Sequence, residues 1–429
     1  MMAIFVLFGA VLLLVFVNVP IALALGVVAV IAILQSSGFS ALANAPLAMY
    51  SGATSFPLIA IPLFILAGAI MNASGISRRL IALSSALLGW MRGALAQVTI
   101  VTSMFFAEIS GSAVADAAAL GSILIPAMKS KGYTKEFSAA VLSSSATLAV
   151  IIPPSIPMIL YAAMADTSVV KLFVAGILPG VLGGLLMMAI TWYFARKLDF
   201  PVEQKFVPAN VWPALKEASW ALVLPAIILG GIFGGVVTAT EGAALAVVAA
   251  IVIGAGIYHE LHWHDLWVAL IDGVTQTAVV MLLVAASALL GVHLTEIQAP
   301  QKLAAAVMAI STSKWVVLLL LNVLFLILGF FLHSAAAIIL VVPVVMPLVQ
   351  AVGIDPVQFG IIITINLGIG QQTPPVASVL TVACSIAKAD MWEVSKLNVW
   401  FVATLLIVLG LSTYIPVFPL ALVKLFYGS

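Results

Sequence analysis

Two proline pairs, Pro153-Pro154 and Pro374-Pro375, interrupt apolar stretches long enough to cross a bilayer, and they stand 221 residues apart, 153 to 374. A proline lacks the backbone donor and clashes with the preceding turn, so a pair of them stops a helix where lipid would demand an unbroken one. The same interval separates Pro126 from Pro347 and Gly132 from Gly353. The segments IPAMKSKGYTKEFSAAVLSSSATLAVIIPPSIPMIL, from Ile125, and MPLVQAVGIDPVQFGIIITINLGIGQQTPPVASVL, from Met346, thus align at one offset. Two proline pairs in register with a further proline and glycine point to an internal duplication.

Composition sets the medium. With 64% of 429 residues hydrophobic, 7% charged and a mean hydropathy of +1.30, the chain reads as an all-α polytopic membrane protein without room for a soluble domain. The start, MMAIFVLFGAVLLLVF, lacks the basic region and small-residue cleavage site of a secretory signal and reads as a retained span. One cysteine, Cys384, excludes an internal disulfide framework and a cysteine-built metal site. No feature points to nucleic acid.

The offset divides the chain into a first repeat, 1–195, a cytoplasmic linker, 196–216, and a second repeat, 217–429. Spans are expected near 3–17, 20–35, 57–73, 134–165 and 170–195, then 217–236, 240–257, 272–293, 356–386 and 397–423. Residues 3–35 read either as two short spans around Asn18-Val19-Pro20 or as one long tilted helix. Each repeat holds one more apolar pair, about 95–129 and 314–350, folded at EISGSAV and FLHSAAA, which reads as a re-entrant hairpin. Five true crossings per repeat is odd, so the second repeat is expected upside down relative to the first, the inverted-repeat plan of many secondary transporters, here with two re-entrant hairpins and two broken helices. Lysine and arginine agree. Placing 196–216 inside puts Arg78, Arg79, Arg92, Lys129, Lys131, Lys135, Arg196, Lys197, Lys205, Lys216, Lys388 and Lys396 in the cytoplasm, and only Lys171, Lys302, Lys314 and Lys424 outside with both termini.

A broken helix frees backbone groups at bilayer depth, where an ion or an acid needs substitutes for water. Carbonyls suit a cation, and half-helix N-termini suit an anion. For the first cation site the residues are Ser110, Gly111, Ser112, Ser145 and Thr147; for the second, Ser334, Asn366, Gly368, Gly370 and Thr373, with the two glycines supplying unusual dihedrals and close approach. Ser112, Pro153, Pro154, Ser155, His333, Gln371, Gln372, Pro374 and Pro375 are assigned to the anionic substrate. Neutral oxygen donors without clustered carboxylates favour sodium over a divalent ion.

The stretches ISGSAVADAAALGSILIPAMKSKGY, IIPPSIPMILYA and GQQTPPVASVL, in this order and spacing, resemble the large membrane subunit of TRAP (tripartite ATP-independent periplasmic) transporters over essentially the whole chain. The resemblance implies an elevator-type, sodium-coupled importer of organic acids in the bacterial inner membrane. Its implied partners are a small four-helix membrane subunit, expected as a separate polypeptide, and a soluble periplasmic substrate-binding protein. It implies sialic acid, another sugar acid or a C4-dicarboxylate as cargo.

Other residues carry two readings each. Glu108 and Asp116 flank the first hairpin tip; Asp116 either tunes a cation site or bonds a neighbouring helix end. Glu241 reads as a helix cap and His293 as a satisfied helix-end residue. The run His259 to Asp265 has metal-like spacing but, with Trp263 and Trp267, reads as an interfacial loop. His333 is either functional or structural at its tip. Arms 76–94 and 298–313 read as amphipathic surface helices, either braces or plain connectors, and Ser143-Ser144-Ser145 as ion-site residues or small-residue packing.

A channel would not need two inverted gates around one site, and an intramembrane enzyme would need a nucleophile and base or metal ligands; HExxH and GxSxG are both absent from the sequence. A secondary transporter is therefore expected, with a self-sufficient sodium-coupled dicarboxylate carrier as the alternative to a partner-dependent one.

Overall fold

A computed structural model describes residues 2–17, 19–200, 202 and 207–428, with side chains from residue 6 onward except that of Ile109. Asn18, Lys205 and linker positions 201 and 203–206 lie outside the described residues. The described chain is all helix and turn. In order the helices are α1 (Met2–Phe16), α2 (Ile21–Ser37), α3 (Ala45–Ala53), α4 (Ala60–Ala73), α5 (Ile76–Leu88), α6 (Ala94–Ser110), α7 (Ala113–Ser130), α8 (Lys135–Ala146), α9 (Ile156–Ala165), α10 (Val169–Lys197), α11 (Pro208–Phe233), α12 (Ala239–Ile251), α13 (Trp263–Glu296), α14 (Ala299–Ile310), α15 (Lys314–Phe331), α16 (Ser334–Ala351), α17 (Pro356–Gln371), α18 (Ser378–Ala387), α19 (Met391–Tyr414) and α20 (Val417–Tyr427). Nine helical segments among the described residues are long and apolar enough to cross a membrane.

Helix starts follow local chemistry. Thr134 opens α8 by accepting from Phe137 N, and Asp355 and Asp390 each accept two amides at the starts of α17 and α19. Thr238 and Glu241 form a reciprocal capping box on α12, the role read for Glu241 from sequence. Both long apolar stretches are broken where the prolines stand. After α8 a short 3₁₀ turn, Thr147–Val150, leads into Ile151–Ser155 before α9 begins; α17 stops at Gln371, and α18 begins only at Ser378. Both Pro-Pro bonds are cis.

Packing separates two groups of helices. One is α2, α3 and α4 against α12 and α13, with α5 laid across α11; the other gathers the hairpins α6–α7 and α15–α16 around α8, α9, α17, α18 and α19. Within the second group the contacts are reciprocal: α7 and α8 pack on α18, whereas α16 and α17 pack on α9. At its centre α8 is buried from Phe137 to Ala146 and α17 from Val357 to Gln371. Helices apolar on every side have no surface to show to water and belong in such a core.

The stretch 3–35 takes the first of its two readings and forms two helices, α1 and α2. Two expectations need correction. The span expected at 397–423 is cut at Ile415-Pro416, because Pro416 has no amide to continue the α19 ladder, and the chain restarts as α20. The loop expected through Asp265 ends earlier, since α13 already begins at Trp263, leaving His259 to His262 as the connection. Among the described residues no three His, Cys, Asp or Glu side chains converge there or elsewhere.

The arm expected at 76–94 is α5, and it is bolted down. Glu260 pairs with Arg78 at 2.5 Å and with Arg79 at 2.8 Å. The Arg79 guanidinium lies 3.7 Å from the Tyr258 ring centre, and the Tyr258 hydroxyl donates to Glu217 O of α11. Gly75 is confined to glycine by its φ of 70° and by Glu260, whose Oε2 would lie 1.8 Å from an added Cβ. The hydrogen bond from Arg79, helped by both guanidinium charges, holds the Glu260 carboxyl below its usual range.

A carboxyl held low in the folded protein contributes stability above its unfolded pKa of about 4.3 and loses it as pH falls through the lowered folded value. The melting temperature of detergent-solubilised protein is therefore expected to drop on acidification below about pH 5, and Glu260→Gln to lack that portion of the drop. Superimposable pH profiles for the two proteins would contradict the clamp.

Candidate functional site

Each hairpin tip is docked on a helix break. In the first pair α6 ends at Ser110, Gly111 turns the chain with φ 59°, and Ser112 caps α7 by accepting from Ala115 N. Ile156 N, at the start of α9, donates to Gly111 O at 3.4 Å. A Cβ on Gly111 would stand 2.8 Å from Pro154 O, so only glycine lets the tip reach the break. In the second pair Val376 N donates to Phe330 O at 3.3 Å, and the Gln371 amide donates to Ser334 Oγ at 2.6 Å. His333 caps α16 through Nδ1, which accepts from Ala335 N at 3.4 Å, and its ring is exposed.

The breaks are joined to each other. Gln372 Nε2 donates to Thr147 Oγ1 at 3.3 Å, and the Thr147 hydroxyl donates to Ser144 O. Asn398 of α19 closes the ring: it accepts from Ser144 Oγ at 2.6 Å and donates to Gln372 O at 2.8 Å. The N-termini of α7, α9, α16 and α18 and the C-termini of α6, α8, α15 and α17 thus gather at the tips and breaks. Partial positive charge suits an anion there, and free carbonyls suit a cation.

The two pairs differ in access. Residues 151–155 are wholly buried, while Pro375 and Val376 are exposed. The second break faces a cavity of about 610 Å³ whose lining includes Val19 and Pro20 of the α1–α2 junction, His333 and Ala377. That volume holds a small organic molecule with water.

Of the residues named from sequence, Gly111 meets Pro154 and Ser155, while Ser110 donates to Asp116 and Ser112 caps α7; Ser334 meets Gln371; and Thr147 meets Gln372. Thr373 turns back to donate to Ile369 O. Ser145 and Asn366 lie deeper in their helices. Ser145 Oγ donates to Leu142 O and pairs with Ser103 Oγ at 3.0 Å; Asn366 Nδ2 donates to Asn322 Oδ1 at 2.7 Å, leaving its own oxygen buried without a partner among the described residues. Gly368 and Gly370 depart from expectation: both are inside α17 with no left-handed backbone. Close approach is the use of Gly370, where a Cβ would lie 2.4 Å from the Gly329 backbone of α15; at Gly368 an added Cβ would make ordinary contact, 3.8 Å from Thr147 O. Asp116 takes the hydroxyl of Ser110 at one oxygen, and its other oxygen is buried and unpartnered among the described residues. Sequence reading missed Asn322, Asn398 and Ser103. Asn322 stood out only as a lone amide in LLLLNVLFL, and Asn398 as a polar residue just inside an apolar span.

The model of the family described as tripartite ATP-independent periplasmic transporter, DctM component, matches residues 8–418. The chain belongs to this family. Among its relatives, the isethionate TRAP transporter permease protein DctMQ of Oleidesulfovibrio alaskensis is 41% identical over 97% of this chain, which spans 65% of that relative's length. The C4-dicarboxylate TRAP transporter large permease protein DctM of Vibrio cholerae is 36% identical, covering 97% of this chain and 96% of its own. The fold is shared with the YdaH transporter of Alcanivorax borkumensis, at a TM-score of 0.59 and 16% identity over 92% of this chain and 90% of that one. These DctM-family relatives are transporter permeases, which supports a transport role over an enzymatic one, and with the nine apolar segments they make the chain a multi-pass membrane protein.

Gly370→Ala is expected to cost about 1–3 kcal/mol by overpacking and to lower the melting point. Gly291→Ala, on α13 with nothing within 4 Å of an added Cβ, is the matched control and should be neutral. Equal melting of both variants would contradict the close approach.

Proposed function

We propose that the chain is the large membrane subunit of a sodium-coupled importer that carries an organic acid across the bacterial inner membrane by an elevator motion. A periplasmic binding protein delivers the acid, and a small four-helix membrane subunit completes the assembly. The observation that carries this reading is the pairing of each hairpin tip with a helix break, the breaks being bridged by Thr147 and Gln372. The reciprocal packing of α9 on α16–α17 and α18 on α7–α8 supports two inverted repeats, 1–195 and 217–429, joined by a cytoplasmic linker. The pairing of Arg92 with Asp199 and of Arg78 and Arg79 with Glu260 fits a common cytoplasmic end.

Sodium fits the neutral oxygens of Ser110, Ser112, Ser145, Thr147, Ser334, Asn366 and Thr373, with backbone at Gly111, Gly368 and Gly370. The acid would lie between Ser112, Pro153, Pro154 and Ser155 and His333, Gln371, Gln372, Pro374 and Pro375, where helix N-termini face it. Either charge alone at mid-membrane costs several kcal/mol, so joint occupancy is what lets the hairpins and broken helices move. The relatives' names cover isethionate and C4-dicarboxylates; for this chain the cargo is a small organic acid of the C4-dicarboxylate or sugar-acid class, sialic acid included.

In proteoliposomes holding the full assembly, Ser145→Ala and Asn366→Ala should each raise the half-saturating sodium concentration by roughly ten-fold. An unchanged sodium response in both would remove these two ligands from the scheme. Sodium-driven uptake by this chain alone would instead favour a self-sufficient carrier.

A further inference from the structure

The side of Asn366 away from the breaks leads into a string of buried polar groups that the transport scheme does not use. Asn322 Nδ2 of α15 donates to Thr413 Oγ1 of α19 at 3.1 Å, while its oxygen accepts from Asn366. Gln358, in the first turn of α17, donates through Nε2 to Ser412 O and Thr413 O, both at 3.0 Å. An amide oxygen in that place would meet two acceptors, so the Gln358 oxygen must point elsewhere. It finds no partner among the described residues, and neither does the Ser412 hydroxyl; both side chains are fully buried. Capping the last carbonyls of α19 accounts for the Gln358 nitrogen but not for these two oxygens.

The duplication supplies the comparison. At the same offset of 221, Gln358 corresponds to Phe137, Asn322 to Val101 and Thr413 to Trp192. Phe137 is buried in a ring cluster with Tyr133, Phe194, Phe200 and Phe401, at centroid separations from 5.0 to 6.5 Å. Where one copy buries the Phe137 ring the other buries the Gln358 amide, so packing does not require an unpaired oxygen at that position, whereas Thr191, the counterpart of Ser412, also keeps a buried hydroxyl without a partner among the described residues. A buried oxygen without a partner is costly, and a bound water or ion is the usual explanation.

We propose that Gln358, Ser412 and Thr413, continued by Asn322, form a further site that holds a desolvated monovalent cation beside the C-terminus of α19. The Ser412 and Thr413 carbonyls already accept from Gln358 Nε2, so the free donors are the Gln358 amide oxygen and the Ser412 hydroxyl, with the Thr413 hydroxyl beside them. They attract a cation, repel an anion, and lack the carboxylates a divalent ion demands. The string runs from the capped start of α17 to Asn366, one turn before Gly370, so the site is a station on the path of the coupling cation; that role rests on the proposed sodium coupling, while occupancy of the site does not.

Ser412→Ala tests it in the full assembly, because the hydroxyl has no protein partner among the described residues to lose. A dry or water-filled site predicts unchanged sodium dependence and unchanged or higher melting. A cation site predicts that Ser412→Ala raises half-saturating sodium about five-fold and shrinks the sodium-induced rise in melting temperature, with Ser412→Thr retaining both. Thallium(I) soaked into crystals of the assembly should scatter anomalously between Gln358 and Ser412. A sodium-responsive wild type with an indifferent Ser412→Ala and no thallium there would overturn the site alone. A wild type with no sodium response would defeat the coupling scheme, and thallium occupancy would then decide this site by itself.

Discussion

Everything in this fold answers to one constraint: a backbone amide or carbonyl that leaves its helix at bilayer depth must find another partner in protein, cargo or trapped water. Two helices are cut by proline pairs, and at both cuts the exposed ends are taken up by a neighbouring hairpin tip through Ile156 N to Gly111 O and Val376 N to Phe330 O. The polar ends are therefore sheltered and organised, leaving a small set of oxygens and amides for something smaller to bind. Glycine sets how close the parts come. At Gly111 and at the Gly329–Gly370 crossing, a single methyl group would push tip from break or α15 from α17.

The two copies of this arrangement are not equivalent. Break one is sealed, with residues 151–155 buried; break two opens onto a cavity bounded by the α1–α2 junction and His333. The ring of Ser144, Asn398, Gln372 and Thr147 ties them, giving a hydrogen-bonded route from one to the other. Meanwhile α5 is fixed to the α11–α13 group through Arg79, Tyr258 and Glu260. A firmly anchored frame beside a polar, hairpin-lined core is what relative motion between the two would require.

Much of this was legible in the sequence because proline, glycine and long apolar runs act locally. The hairpin limits near 95–129 and 314–350, and both breaks, follow from those signals alone. What could not be read was whatever depends on which helix faces which. From sequence Gly370 allows both unusual dihedrals and close approach, and only α15 lying against it decides for the second. Asn398 and Asn322 acquire meaning only from partners 26 and 44 positions away, Gln372 and Asn366. The interruption at Pro416 was readable in principle, but its flanks are so apolar that hydropathy ran across it.

The central claim is that the two breaks are joint binding elements and not packing defects. Hydrogen exchange of the complete assembly, measured at the amides of residues 147–155 and 372–377 in sodium and in choline, tests it most directly. Sodium is predicted to slow exchange at both segments together, since occupancy of one is transmitted through Gln372 to the other. Exchange that ignores sodium at both segments would contradict the account.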